Sequence, residues 1–173
     1  FITKYSLDIL YGSIYNKDKN TFIFKLWPKK NKFNLSVSSA IYLTSAVTIF
    51  YNSRFLKSFL FDESFGLNAN FIGNEDVDLI MRMYTSGLNF NTLYQSDLYV
   101  QHPIIEANNN YSKSFGAVLA KNFNAVFFVY FLFTIIWNFL RSIYYFFSFN
   151  FNKSKIYMES IILRVYGLIR YYL

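Results

Sequence analysis

The sequence predicts an α/β fold class, on three observations. Apolar segments of strand-like and helix-like period alternate up to His102-Pro103, which argues a sheet layered with helices rather than a helical bundle. The period changes from two to about 3.6 at an acidic segment near Asn74. After Pro103 every apolar segment is helical in period.

In chain order, residues 7–15 and 21–27 read as strands rich in Ile, Leu, Tyr and Phe, joined by a polar turn over residues 16–20. Pro28 ends the second, because proline cannot donate to a central ladder. Residues 29–34 follow as a polar loop. Residues 46–51 are β-branched and aromatic, hence a third strand, and Asn52 suits the cap of a short helix over residues 53–60. Val77, Leu79, Ile80, Met83 and Tyr84 recur at helical spacing, and Gly87 stands where a C-terminal cap belongs, so a helix is expected over residues 74–86. Short strands near residues 90–93 and 98–101 precede His102-Pro103. Three helices then follow, over residues 111–122, 124–149 and 155–172, with Asn108-Asn109-Asn110 as a local linker. The boundary falls near residue 105, giving a mixed domain over residues 1–105 and a helical region over 106–173.

Composition narrows the function classes. Cysteine is absent, which excludes disulfides and thiolate metal sites. Of the 17 basic and 10 acidic residues, Lys121, Arg141, Lys153, Lys155, Arg164 and Arg170 lie after residue 120, against Glu159 alone. A tail both basic and aromatic points to an anionic membrane surface. Nucleic acid is not expected as a partner, since only residues 29–32 approach a basic stripe. Between Lys121 and Arg141 run 19 uncharged residues, about the length that spans hydrocarbon. A helical projection nevertheless places Asn124, Thr134, Asn138, Arg141 and Ser142 on one third of the circumference, which favours a helix lying in the interface or against its own domain. Both readings stay open: a peripheral attachment, or one transmembrane helix near residues 123–140.

Asp62, Glu63, Glu75, Asp76 and Asp78 all fall within residues 61–78. One explanation is structural, with Asn74 as cap, Glu75 and Asp76 in the first turn where the helix dipole favours anions, and Asp78 paired to Arg82 at i,i+4. The other is chemical. Gly66 and Gly73 let the backbone turn and gather the two acidic pairs, and Glu75 and Asp76, about 100° apart on a helix, suit one general base with a supporting acid. A paired-carboxylate hydrolase using Asp62 or Glu63 with Asp76 is a further option. His102, the sole histidine, is either structural or a ligand to a divalent ion.

The residues Phe61-Asp62-Glu63-Ser64-Phe65-Gly66, then Gly73-Asn74-Glu75-Asp76-Val77-Asp78-Leu79, Arg82, Gly87 and Val100-Gln101-His102-Pro103 resemble the C-terminal half of a bacterial family 2 glycosyltransferase. Leu26-Trp27-Pro28, Thr48-Ile49-Phe50 and the segment from Tyr111 to Leu119 extend the resemblance over residues 7–120. It implies a partial GT-A fold, a nucleotide-sugar donor, a glycan or lipid-linked acceptor of surface polysaccharide such as O-antigen or capsule, and a divalent ion, Mn²⁺ or Mg²⁺. Asp76 would be the general base of an inverting transfer, with Glu75 its neighbour. Asp62, Glu63 and Arg82 would serve the substrate, and His102 would stand where such enzymes place a metal ligand. The family's N-terminal half, with its nucleotide-binding strands and most of its metal ligands, has no counterpart here. The chain is therefore expected to be part of a longer or split enzyme, inactive alone, at the cytoplasmic face of the bacterial inner membrane. The alternatives are a non-catalytic membrane-interface protein and the hydrolase.

Overall fold

The computed structural model describes residues 6–23, 25–55, 58–103 and 110–173. It is a mixed α/β chain of two compact units, residues 1–61 with 79–106 and residues 62–78 with 107–173.

The first unit is built on β1 (Ile9–Asn16), which is buried on both faces. That explains its near-continuous apolar run, since only a strand exposed on one face needs alternation. β1 pairs in parallel with β5 (Thr92–Gln101) and antiparallel with β2 (Thr21–Phe22) and β4 (Ile49–Tyr51), while β3 (Lys32–Phe33) closes the far side of β5. The register of β1 on β5 shifts between Tyr11 and Ser13. Gly12 sits at that irregularity, where a Cβ would come within 2.9 Å of the Leu98 carbonyl oxygen. Asp8, buried at the entrance to β1, accepts from the Asn91 N–H at 2.8 Å and pairs with Arg54.

Several expectations change here. The strand over residues 21–27 contracts to β2, because Trp27 Nε1 donates to the Ile23 carbonyl and the backbone leaves the ladder; Phe24 lies outside the described residues. The loop over residues 29–34 contains β3, paired through Lys32 with Tyr94 and Phe33 with Leu93. The strand expected over residues 46–51 is the three-residue β4. The two short strands expected between residues 90 and 101 are one ten-residue β5. The sequence reading had no helix at α1 (Val37–Leu43), which is capped by Ser36. Asn52 accepts from the Arg54 N–H at 3.2 Å and opens a single 3₁₀ turn over Ser53–Phe55; residues 56 and 57 of the expected helix lie outside the described residues.

α2 (Glu75–Thr85) begins in the second unit and ends in the first, where Leu79, Ile80, Met81 and Met83 are buried. The second unit otherwise consists of the loop before α2 and three helices, α3 (Asn110–Lys121), α4 (Ala125–Phe147) and α5 (Phe151–Arg170). Apart from Asn110, the expected asparagine linker lies outside the described residues. Asn124 caps α4 by accepting from the Phe127 N–H at 2.9 Å, and Asn150 caps α5 through Lys153. α4 is long and apolar enough to cross a membrane by length and composition.

Candidate functional site

The acidic segment is folded by left-handed backbone and by cross-links to α3. Gly66, Asn68, Gly73 and Asn74 all have positive φ, between 63° and 117°, a region that glycine and asparagine enter with little strain. The loop closes on itself where Gly66 N–H donates to the Phe71 carbonyl at 3.0 Å and Phe71 N–H to the Ser64 carbonyl at 3.1 Å. The Phe65 and Phe71 rings stack across this closure at 5.6 Å. Gly73 must lack a side chain, because a Cβ there would stand 2.1 Å from a Tyr111 ring carbon. Ser114 Oγ then donates to the Gly73 carbonyl at 2.5 Å and ties the loop to α3.

Asn74 does not act as the expected cap. An N-cap residue has extended backbone, whereas Asn74 has a φ of 63° and its side-chain amide donates to the Tyr111 carbonyl at 2.8 Å. The position contributes to α2 through its own carbonyl, which accepts from the Asp78 N–H at 2.9 Å.

The five acids fall into distinct environments. Asp78 is completely buried, and its carboxylate accepts from Lys121 Nζ at 2.9 Å and from Asn122 Nδ2 at 2.8 Å. Arg82, the partner expected for Asp78, directs Nη2 to the Leu60 carbonyl at 2.5 Å, within the first unit. Lys121 Nζ also reaches Asp62 at 2.5 Å and lies over the Phe65 ring at 5.4 Å. One ammonium thus joins Asp62 in the loop to Asp78 in α2. The hydrogen bond from Lys121 holds the Asp62 carboxyl down, from an ordinary 3.8 to about 2, against the opposing effect of burial and with help from the Ser64 N–H.

Glu63 is exposed on the loop. Glu75 is half-buried, its carboxylate 3.8 Å from where a Cβ of Gly66 would stand, and its shielded Oε2 has no hydrogen-bond partner. A buried carboxylate oxygen without a donor is costly, and such groups concentrate at functional sites. Asp76, also half-buried, accepts from the Val77 N–H at 2.9 Å in the first turn of α2.

His102 belongs to the first unit. Its backbone N–H donates to the Tyr15 carbonyl at 3.0 Å, its own carbonyl accepts from Asn16, and its Nδ1 stands 2.7 Å from the Pro103 carbonyl oxygen. Among the described residues no group of three or more His, Asp or Glu side chains is placed to hold a metal ion.

Sequence reasoning missed Lys121 and Asn122 as members of this cluster. The available signal was Asp78 itself, a charge inside the buried run from Val77 to Met81, which requires a partner from elsewhere in the fold. The chain matches no family model, no curated protein and no solved structure.

Proposed function

We propose that the chain supplies the acceptor side of an inverting, membrane-associated glycosyltransferase, with Asp76 as general base. The supporting observation is the placement of the acids: Lys121 fastens Asp62 and Asp78 together, and Glu75 and Asp76 stand side by side in the first turn of the α2 that this link positions. In this reading the Asp76 carboxylate takes the proton of an acceptor hydroxyl as that oxygen attacks the anomeric carbon. The bond from the anomeric carbon to the nucleoside diphosphate breaks on the opposite face, its electron pair leaves with the diphosphate, and configuration inverts. Glu75, whose half-buried carboxylate has an oxygen with no hydrogen-bond partner, accepts a hydrogen bond from a second hydroxyl of the acceptor once the loop at Gly66 admits it. A divalent ion, Mn²⁺ or Mg²⁺, belongs to the same reading: it would be held mostly by the family's N-terminal half, with His102 as the ligand from the described residues, while Asp76 and Glu75 transfer the proton and position the acceptor.

The spaced resemblance to family 2 glycosyltransferases supports the same assignment and supplies the donor class, a nucleotide sugar. The apolar α4 and the basic residues of α5 suit work at the cytoplasmic face of a bacterial inner membrane on a glycan or lipid-linked acceptor. The hydrolase alternative needs a carboxylic acid whose pKa is raised so that it can donate a proton. Asp62 is shifted the other way, to about 2, which disfavours it as that acid.

The test is sugar transfer from a nucleotide-sugar donor to membrane-extracted acceptor, with the chain joined to the sequence encoded upstream of it. Asp76→Asn should lower the rate by about 10²–10⁴-fold, the usual contribution of a positioned base. Equal rates in the variant and the parent would remove Asp76 from the mechanism.

A further inference from the structure

We infer that α4 and α5 form a single-leaflet anchor, in which α4 lies in the plane of an anionic membrane surface and does not cross it. This rests only on the membrane-associated part of the function proposed above. The outward face of α4 is apolar from end to end, with Val129, Phe133, Ile136, Trp137, Leu140 and Phe147 all exposed. Read alone, 23 residues at about 1.5 Å each would cross about 30 Å of hydrocarbon. What α4 is packed against excludes that course.

α5 runs back along α4 for most of its length. Asn138 Nδ2 donates to Ser160 Oγ at 3.2 Å, Ser142 Oγ to the Ser154 carbonyl at 3.0 Å, and the Tyr145 and Tyr157 rings stack at 5.5 Å. This antiparallel register sets Glu159 level with Phe139, within about 5 Å of the midpoint of α4 at 1.5 Å per residue. Glu159 pairs with Lys155 at 3.8 Å, and the Lys155 side chain is 76% exposed. Asn152, Lys155, Glu159 and Arg170 fall on one strip of α5, which needs water or headgroups beside it.

α3 is packed on α5 just as closely. A Cβ on Gly167 would stand 1.8 Å from the Lys113 carbonyl oxygen, and Tyr172 Oη donates to the Ala120 carbonyl at 2.7 Å. These contacts place α3 beside the half of the hairpin remote from its turn. α3 in turn carries Lys113 and Lys121 and, through Lys121, the carboxylates of Asp62 and Asp78. An α4 standing across the bilayer would draw Lys113, packed against Gly167, and Glu159 into hydrocarbon, where charged groups are strongly disfavoured.

Lying flat satisfies both sides. The apolar face of α4 sinks about 5–10 Å into the boundary between headgroups and acyl chains. Phe146, Phe147, Phe149 and Phe151, all exposed around the turn, enter the same layer. Lys153, Lys155 and Arg170 on α5 supply charges for anionic headgroups. The partner is therefore an anionic lipid leaflet.

The test uses the full chain added to sealed vesicles of phosphatidylethanolamine and phosphatidylglycerol. With Trp27→Phe, Trp137 becomes the sole tryptophan, at the centre of the outer face of α4. Lipids brominated near the headgroup should quench it at least about twofold more than lipids brominated near the chain ends, as a shallow helix requires. Because the chain has no cysteine, Phe123→Cys and Phe149→Cys each provide a single thiol at one end of α4. An impermeant thiol reagent outside the vesicles should modify both. Stronger quenching from the chain ends, or modification at one end only until the vesicles are lysed, would overturn the in-plane geometry while leaving membrane association intact. A chain that sediments as an oligomer and leaves the vesicles unbound would assign the apolar face to a second copy, and would overturn both the anchor and the membrane part of the function.

Discussion

Lys121 holds the acidic loop and the start of α2 in one arrangement, through Asp62 at 2.5 Å and the fully buried Asp78 at 2.9 Å. Lys121→Met would leave the Asp78 carboxylate in the interior without its ammonium partner. Removing one partner of a buried pair costs about 3–5 kcal/mol, so the denaturant midpoint should fall accordingly. Asp62 gives a second check. Its pKa in the folded chain, about 2, lies below its ordinary 3.8, so the unfolded chain binds more protons between these values. The stability this carboxylate contributes is therefore present above about pH 4 and lost as pH falls through about 2. In Asp62→Asn that part of the acid dependence should disappear, as read by unfolding curves at stepped pH. The Lys121 contacts span 43 residues of chain to Asp78 and 59 to Asp62, so local spacing could not reveal them. Asn74 shows the converse difficulty. Asparagine before Glu-Asp has the composition of a cap, yet Tyr111 and the left-handed backbone give its side chain other work.

At the scale of elements, the join between α3 and α5 depends on two glycines that meet the opposing backbone. A Cβ on Gly116 would stand 1.9 Å from the Arg164 carbonyl oxygen, closer than any relaxation of side chains alone can relieve. Close approach of helix backbones at small residues is the usual device where helices associate without a large apolar seam. Ser112 and Ser160, 2.7 Å apart, add a hydrogen bond on the same line. Gly116→Ala should force α3 away from α5 at a cost of about 1–3 kcal/mol, seen as a lowered thermal midpoint. An unchanged midpoint would mean that the two helices do not meet as described. α2, α4 and α5 were legible in the sequence because each repeats apolar residues at helical spacing over many residues, and Asn124 marks the start of α4 openly. The start of α5 at Phe151 was less so, because Asn150 follows an aromatic run that reads as a continuation of α4. β3 was not legible, since a two-residue pairing of Lys32 and Phe33 leaves no periodicity to detect. α1 was hidden by its serines, of which Ser36 turns out to be the cap.

At the scale of the whole molecule, the sequence carried the mixed α/β class and the change to an all-helical end, because both follow from the period of apolar residues. It could not carry the division into units, since residues 62–78 join the C-terminal helices rather than the sheet that flanks them in the chain. That division puts the acidic loop and the amphipathic hairpin in one unit, with α3 tied to both. On the function and anchor proposed above, that arrangement suits an enzyme that acts on a substrate held at a lipid surface. The central claim is that the acids of the loop have separate tasks, with Asp76 moving the proton. Its most direct measurement is the rate of sugar transfer by Asp76→Asn set against Glu63→Gln, in the chain joined to its upstream sequence and at matched amounts of folded protein. Transfer should fall by about 10²–10⁴-fold in the first variant and by far less in the second, as expected for loss of a general base rather than of one exposed charge. Equal rates for Asp76→Asn and the unmodified protein would contradict it.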